Sequence, residues 1–170
     1  MMTSTTSPAD ATTSILLGRM SEFLLKQNEN MDSLRTLAAK LHTRTCAQDK
    51  RIRETTLDSI RGKQFQNISM LMSLLEFVRD TATACSIAGI LHECVSVRGK
   101  GKNKNRGKEA RKAVAVYIVS IGGTVTIIRM VSALCVRTTA GGASAVQQAA
   151  NEQLLYELLW LLAQLAQKGK

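Results

Sequence analysis

The sequence predicts a mainly α-helical protein. Long amphipathic or coiled-coil helices come first, then an apolar segment that reads as a membrane helix or as a short β-hairpin, then an amphipathic C-terminal helix. Three observations carry this. Aromatic residues make up only 4% of the 170 and there is a single proline. Apolar area must therefore come from Leu, Ile, Val, Ala and seven Met, a composition that suits helices better than a β-sandwich. In the first half an apolar residue recurs at alternating four- and three-residue steps, at Met20, Leu24, Met31, Leu34, Ala38 and Leu41. Near the end, the leucines between 154 and 165 cover nearly half of a helical wheel.

Taken in order, residues 1–13 (MMTSTTSPADATT) are small and polar and are expected to be disordered. They contain an acid and no basic residue, so no cleavable signal peptide is read there. Ser14 is placed to cap a helix beginning at Ile15. The four-three repeat amounts to about three heptads of a seam, with Gln27 as its polar interruption. It resumes at Ile52, loses phase near Gly62, and is followed by a stripe at Phe65, Ile68, Met72 and Leu75. This predicts two helices, over 15–45 and 47–80, within a helical region 14–80, either continuous or folded as a hairpin. Their stripe is buried in the chain's own core or against a partner helix. For the partner the candidates are Met20, Leu24, Met31, Leu34, Leu41 and, from the last helix, Trp160.

Residues 81–97 predict a short apolar helix, whose uncharged run before His92 is 11 residues long, against the roughly 20 that span a bilayer. The segment 98–112 (RGKGKNKNRGKEARK) reads as a basic, glycine-rich loop. It holds Arg98, Lys100, Lys102, Lys104, Arg106, Lys108, Arg111 and Lys112, eight of the 23 basic residues in a chain of net charge +10. Such a cluster can contact phosphates of nucleic acid or the headgroups of anionic lipid. It is not a phosphate loop of the P-loop kind. Gly101 and Gly107 are separated by five residues, and Lys108 is followed by Glu109 where Ser or Thr is needed.

The apolar segment 113–137 has two readings. As a membrane helix it would insert through Val116, Ile118, Ile121, Ile127 and Ile128, opposed by Arg129. As a β-hairpin it would turn at Gly122-Gly123, with β-branched residues on both flanks. Gly141-Gly142 then break the chain, and Ser144 starts the final helix, 144–168. On that helix Gln153, Glu157, Gln164 and Gln167 form a polar stripe that contains Trp160.

Chemistry is not visible in this pattern. The cysteines, Cys46, Cys85, Cys94 and Cys135, form no Cys-x-x-Cys pair and read as buried small apolar groups. His92 and Cys94, two apart on a helix, point in nearly opposite directions. With two histidines in all, no metal site, no cofactor and no catalytic constellation is indicated. The sequence argues against an enzyme.

The order of segments resembles the smaller hydrophobic translocator proteins of bacterial type III secretion systems. The matching parts are the Ser/Thr-rich start (1–13), the coiled-coil region (20–75), the apolar segment with paired glycines (113–136) and the amphipathic last helix (145–167). Four cysteines and a basic loop depart from that family's pattern. The resemblance implies export without signal cleavage and insertion into a host membrane as part of a pore. The reading is thus a non-enzymatic, membrane-associating helical protein, a secreted translocator or pore component. Its partners would be an anionic membrane and a protein partner or second copy through the helical seam. The alternatives are a basic nucleic-acid-binding protein and a cytosolic coiled-coil adaptor. Membrane association, or export without a cleavable signal, is favoured over a purely cytosolic location.

Overall fold

The computed structural model describes residues 8–26, 30–96 and 104–168. Among these, eight α-helices follow one another with no strand: α1 (Pro8–Leu25), α2 (Met31–Thr45), α3 (Lys50–Arg61), α4 (Gln66–Phe77), α5 (Thr81–Val95), α6 (Lys104–Ser120), α7 (Gly123–Thr139) and α8 (Ala145–Lys168). The mainly helical expectation is met, but the helices are shorter and more numerous than the apolar repeat suggests.

Local chemistry explains the breaks. Helix α1 starts with Pro8, whose fixed φ and missing N–H suit a first turn; Ser14, expected to cap, lies inside it. The predicted 15–45 helix is cut in two because Asn30 caps α2, its side chain accepting from Asp32 N at 3.0 Å. The predicted 47–80 helix is likewise cut. Asp49 caps α3 by accepting from Arg51 N and Ile52 N. Gly62 then ends α3, and Gln64 and Phe65 turn the chain through left-handed φ values of 53° and 63°. Asp80 caps α5 by accepting from Thr83 N. Ser144 does the same for α8, accepting from Gln147 N at 3.2 Å.

Helix α5 is the centre of the molecule. Ten of its 15 residues are buried, among them Ile87, Ile90, Leu91 and Cys94, and it packs against both α2 and α8. Paired contacts fix direction and register. Arg35 of α2 meets Asp80 at the start of α5, and His42 lies over Gly89. Thr81 donates to Asn151 of α8, His92 meets Glu157, and Lys168 donates to the Val95 carbonyl. Residue number rises together on both sides of each interface, so α2, α5 and α8 run parallel. Every third helix is thus stacked on its equivalent, which is how a helical repeat array is built.

The seam seen in the sequence is consumed by this core. Met20, Leu34, Ala38 and Leu41 are fully buried inside the chain, whereas Leu24 is half-buried and Met31 is exposed. The expectation for the cysteines needs correction. Only Cys94 is buried; Cys85 is half-buried, and Cys46 and Cys135 are exposed.

The apolar segment 113–136 is neither a β-hairpin nor one membrane helix. It is the end of α6 and most of α7, which meet at an angle of 73°. Gly122 ends α6 in the left-handed region (φ 79°), a conformation that glycine adopts without a Cβ penalty. Gly123 is needed for space. A Cβ there would lie 2.5 Å from Ile118 Cγ2 and 2.8 Å from the Ile118 carbonyl oxygen. The β-branched flanks suggested strands, but period alone does not separate short apolar helices from strands. Among the described residues no single helix is long and apolar enough to cross a membrane; the bent pair α6–α7 passes only as two pieces. Of the five residues expected to insert, Ile118 and Ile127 are fully buried in the protein core, and Val116, Ile121 and Ile128 are exposed. The membrane-helix reading is therefore withdrawn.

Candidate docking groove and basic cluster

A groove of about 240 Å³ lies where the α4–α5 corner meets α7 and α8. Its floor is apolar: Leu75 and Val78 from the end of α4, Ala84 from α5, Met130, Ala133 and Leu134 from α7, and Leu154 from α8. Arg79, Arg129 and Arg137 stand at its rim with Glu76. All three arginines are exposed. The volume is below the ~300–1,000 Å³ of typical small-molecule sites and suits one or two apolar side chains of a partner. A second hollow, of about 570 Å³, is lined by Met31, Ser73, Glu76, Phe77 and Arg79. The two share Glu76 and Arg79 and so form one track across the end of α4. Met31 and Phe77 are 37% and 40% exposed, apolar groups left beside that track.

The groove escapes sequence reading because its residues come from four helices, and Arg79 and Arg137 are 58 positions apart. Arg129 stands out in the sequence only as an obstacle to membrane insertion. Of the predicted partner-helix residues, Met31 reaches the track, and Trp160 is found elsewhere. Its ring stacks on His92 with centroids 3.6 Å apart and planes inclined by 19°. The same His92 is paired with Glu157, and Gln153 donates to the other Glu157 oxygen at 3.1 Å. Part of the polar stripe of α8 thus faces α5. With buried Asn151, bonded to Thr81 and Gln147, it forms polar bridges that hold α8 in register.

The basic segment divides. Arg98, Lys100 and Lys102 lie outside the described residues. From Lys104 onward the chain is helical, as the first turns of α6. Lys108 and Lys112 are exposed, but Arg111 is half-buried. Arg111 is held below its ordinary pKa by burial and then by the charge of Arg61, partly offset by Glu54. Lys168 is lowered in the same way, by burial and then by Arg111. Among the described residues no group of three or more metal-ligating side chains is gathered.

A stack of equivalent parallel helices with grooves between them defines a helical repeat protein. A family model described as CCP1-like, N-terminal TPR repeats, matches residues 11–170, and the chain belongs to that family. No curated protein and no solved structure matches it. The resemblance to type III translocators is corrected by this match. The order of helical, apolar and amphipathic segments that suggested a pore component is the order of helices in a repeat array. A TPR unit is a helix–turn–helix of about 34 residues, whereas here equivalent contacts recur at every third helix, in α2, α5 and α8.

Proposed function

We propose that this chain is a non-enzymatic protein-interaction module, an adaptor that binds a partner along the track over α4, α7 and α8. Families of TPR repeats are typically scaffolds for protein partners, which supports this reading over membrane insertion. One observation carries the detail: an apolar floor rimmed by three exposed arginines, two hollows long. The complementary partner is a segment with two apolar anchors flanked by Asp or Glu. Met31 and Met130 suit such a surface because unbranched thioether side chains repack around different anchors.

The test is selection from a displayed random peptide library on the full chain and on the Arg129→Glu/Arg137→Glu variant. The expected result is enrichment of peptides with paired apolar residues next to acids on the native chain, and loss of those peptides on the variant. Enrichment of the same peptides on both would refute the groove as the docking site.

A further inference from the structure

A second site lies at the other end of α5 and is independent of the groove. Arg61, at the end of α3, donates from Nη2 to the Cys94 carbonyl at 3.2 Å. Lys168, at the end of α8, donates from Nζ to the next carbonyl, that of Val95. These two cations therefore stand side by side on the last turn of α5. Arg111 joins them from α6, its guanidinium folded back over Gly107, where a Cβ would lie 3.3 Å from Nη2. Capping carbonyls accounts for one donor each of Arg61 and Lys168. It does not account for the Nε–H groups of Arg61 and Arg111, both buried and both without a hydrogen-bond partner. The carboxylates facing the cluster come from α3: Asp58, 3.6 Å from Arg61 Nη1, and Glu54, which attracts Arg111. Glu93 is buried in the last turn of α5.

We propose that Arg61, Arg111 and Lys168 form a binding site for a phosphate dianion, whose binding turns the two enclosed, unbonded Nε–H groups outward as donors. Asp58 and Glu54 already offset part of the positive charge, so the choice of anion rests on geometry. A carboxylate brings only two oxygens in one plane to three donor groups. A phosphate brings two charges and three acceptor oxygens in a tetrahedron, enough to meet two guanidinium groups and an ammonium together. Arg111 and Lys168 are lowered first by burial and then each by one neighbouring cation, and a dianion between them offsets that second part. The dianion has two sources, free phosphate or a phosphorylated side chain of a partner.

Arginine Nε–Hε resonances of the full chain report directly on these donors. They should be followed during titration with inorganic phosphate, and separately with a phosphoserine peptide and its unphosphorylated twin. Arg111→Lys, which keeps the charge and removes the fork, assigns the Arg111 signal. Two Nε–H signals are expected to move together and saturate. Arg111→Gln/Lys168→Gln should weaken binding by about tenfold or more, and the equally charged control Lys108→Gln/Lys112→Gln should leave it within about twofold. Saturation by inorganic phosphate alone assigns free phosphate as the source; a response to the phosphopeptide and not to its twin assigns a modified partner. Either supports the site. Absence of saturation at millimolar ligand, or equal weakening in the control pair, would overturn it, because either means a diffuse positive field.

Discussion

Three glycines do different work, and substitution separates them. At Gly89 a methyl group would lie 2.5 Å from His42 Nε2, the far end of a side chain that can rotate. At Gly123 it would meet the Ile118 carbonyl oxygen, which cannot move without the helix. At Gly122 there is open space but a left-handed φ. Gly123→Ala is expected to cost most, toward the upper end of the ~1–3 kcal/mol of overpacking. Gly122→Ala should cost about 1–2 kcal/mol and Gly89→Ala less than Gly123→Ala. Urea melts of the three variants check this order, and equal losses would contradict it. Thiol chemistry is also graded by position. Burial pushes the Cys94 thiol up to about 12, with Glu93 adding to the rise and Arg61 opposing it. Exposed Cys46 and Cys135 should therefore react with a thiol reagent at once, Cys85 slowly, and Cys94 only on unfolding.

Between elements, single polar pairs set the register. Arg35 grips Asp80 with two bonds, of 3.0 and 2.9 Å, while Asp80 also caps α5. Burial pushes the Asp80 carboxyl up, but the bonds from Arg35 and Thr83 outweigh it and hold it below the ordinary value. A depressed carboxylate adds stability above its unfolded pKa of about 3.9 and loses it as pH falls through the lower folded value. Thermal melts should therefore show a loss below about pH 4 that is smaller in Asp80→Asn. Asp80→Ala, which also removes the cap, should cost about 1–2 kcal/mol at neutral pH. The α5–α8 interface has its own pair. A double-mutant cycle of His92→Ala and Glu157→Ala is expected to give a coupling of about 1–3 kcal/mol; zero coupling would mean that this pair adds nothing to the packing and the Thr81–Asn151 bridge. These pairs also show what was legible. Helix ends follow from neighbours in sequence, so Gly141-Gly142 and Ser144 could be read in advance, whereas Gly62 registered only as a loss of phase inside a helix expected over 47–80. The partners of Trp160 and Glu157 lie 65 or more positions away on α5, and no local pattern places them there.

Across the whole molecule, burial is concentrated in α5 and thins toward α7, whose residues from Cys135 to Thr139 are all exposed. Hydrogen exchange should follow that gradient, slowest in α5 and fastest at the end of α7. Leu91→Ala is expected to cost about 2–5 kcal/mol, while Val116→Ala on the outer face should stay within about 0.5 kcal/mol. The helical class was legible because it rests on composition and period. The three-helix repeat was not, because equivalent helices share position and little sequence: α2 has Arg35 at its fifth residue where α5 has Cys85, and among the few matches are His42 and His92, both at the twelfth. The basic segment was legible as charge. Its division into exposed Lys108 and Lys112 and inward-turned Arg111 required the fold.

Parallel stacking of α2, α5 and α8 has a mechanical consequence. Each of these helices has an equivalent as its most extensive neighbour, so a small rotation at one interface is passed on and adds to the next. Such an array bends throughout, as a leaf spring does. Stiffness then resides in the polar bridges, Arg35–Asp80 between α2 and α5, and His92–Glu157, Thr81–Asn151 and Lys168 on the Val95 carbonyl between α5 and α8. Loosening any of them should widen the range of curvatures before it unfolds the chain.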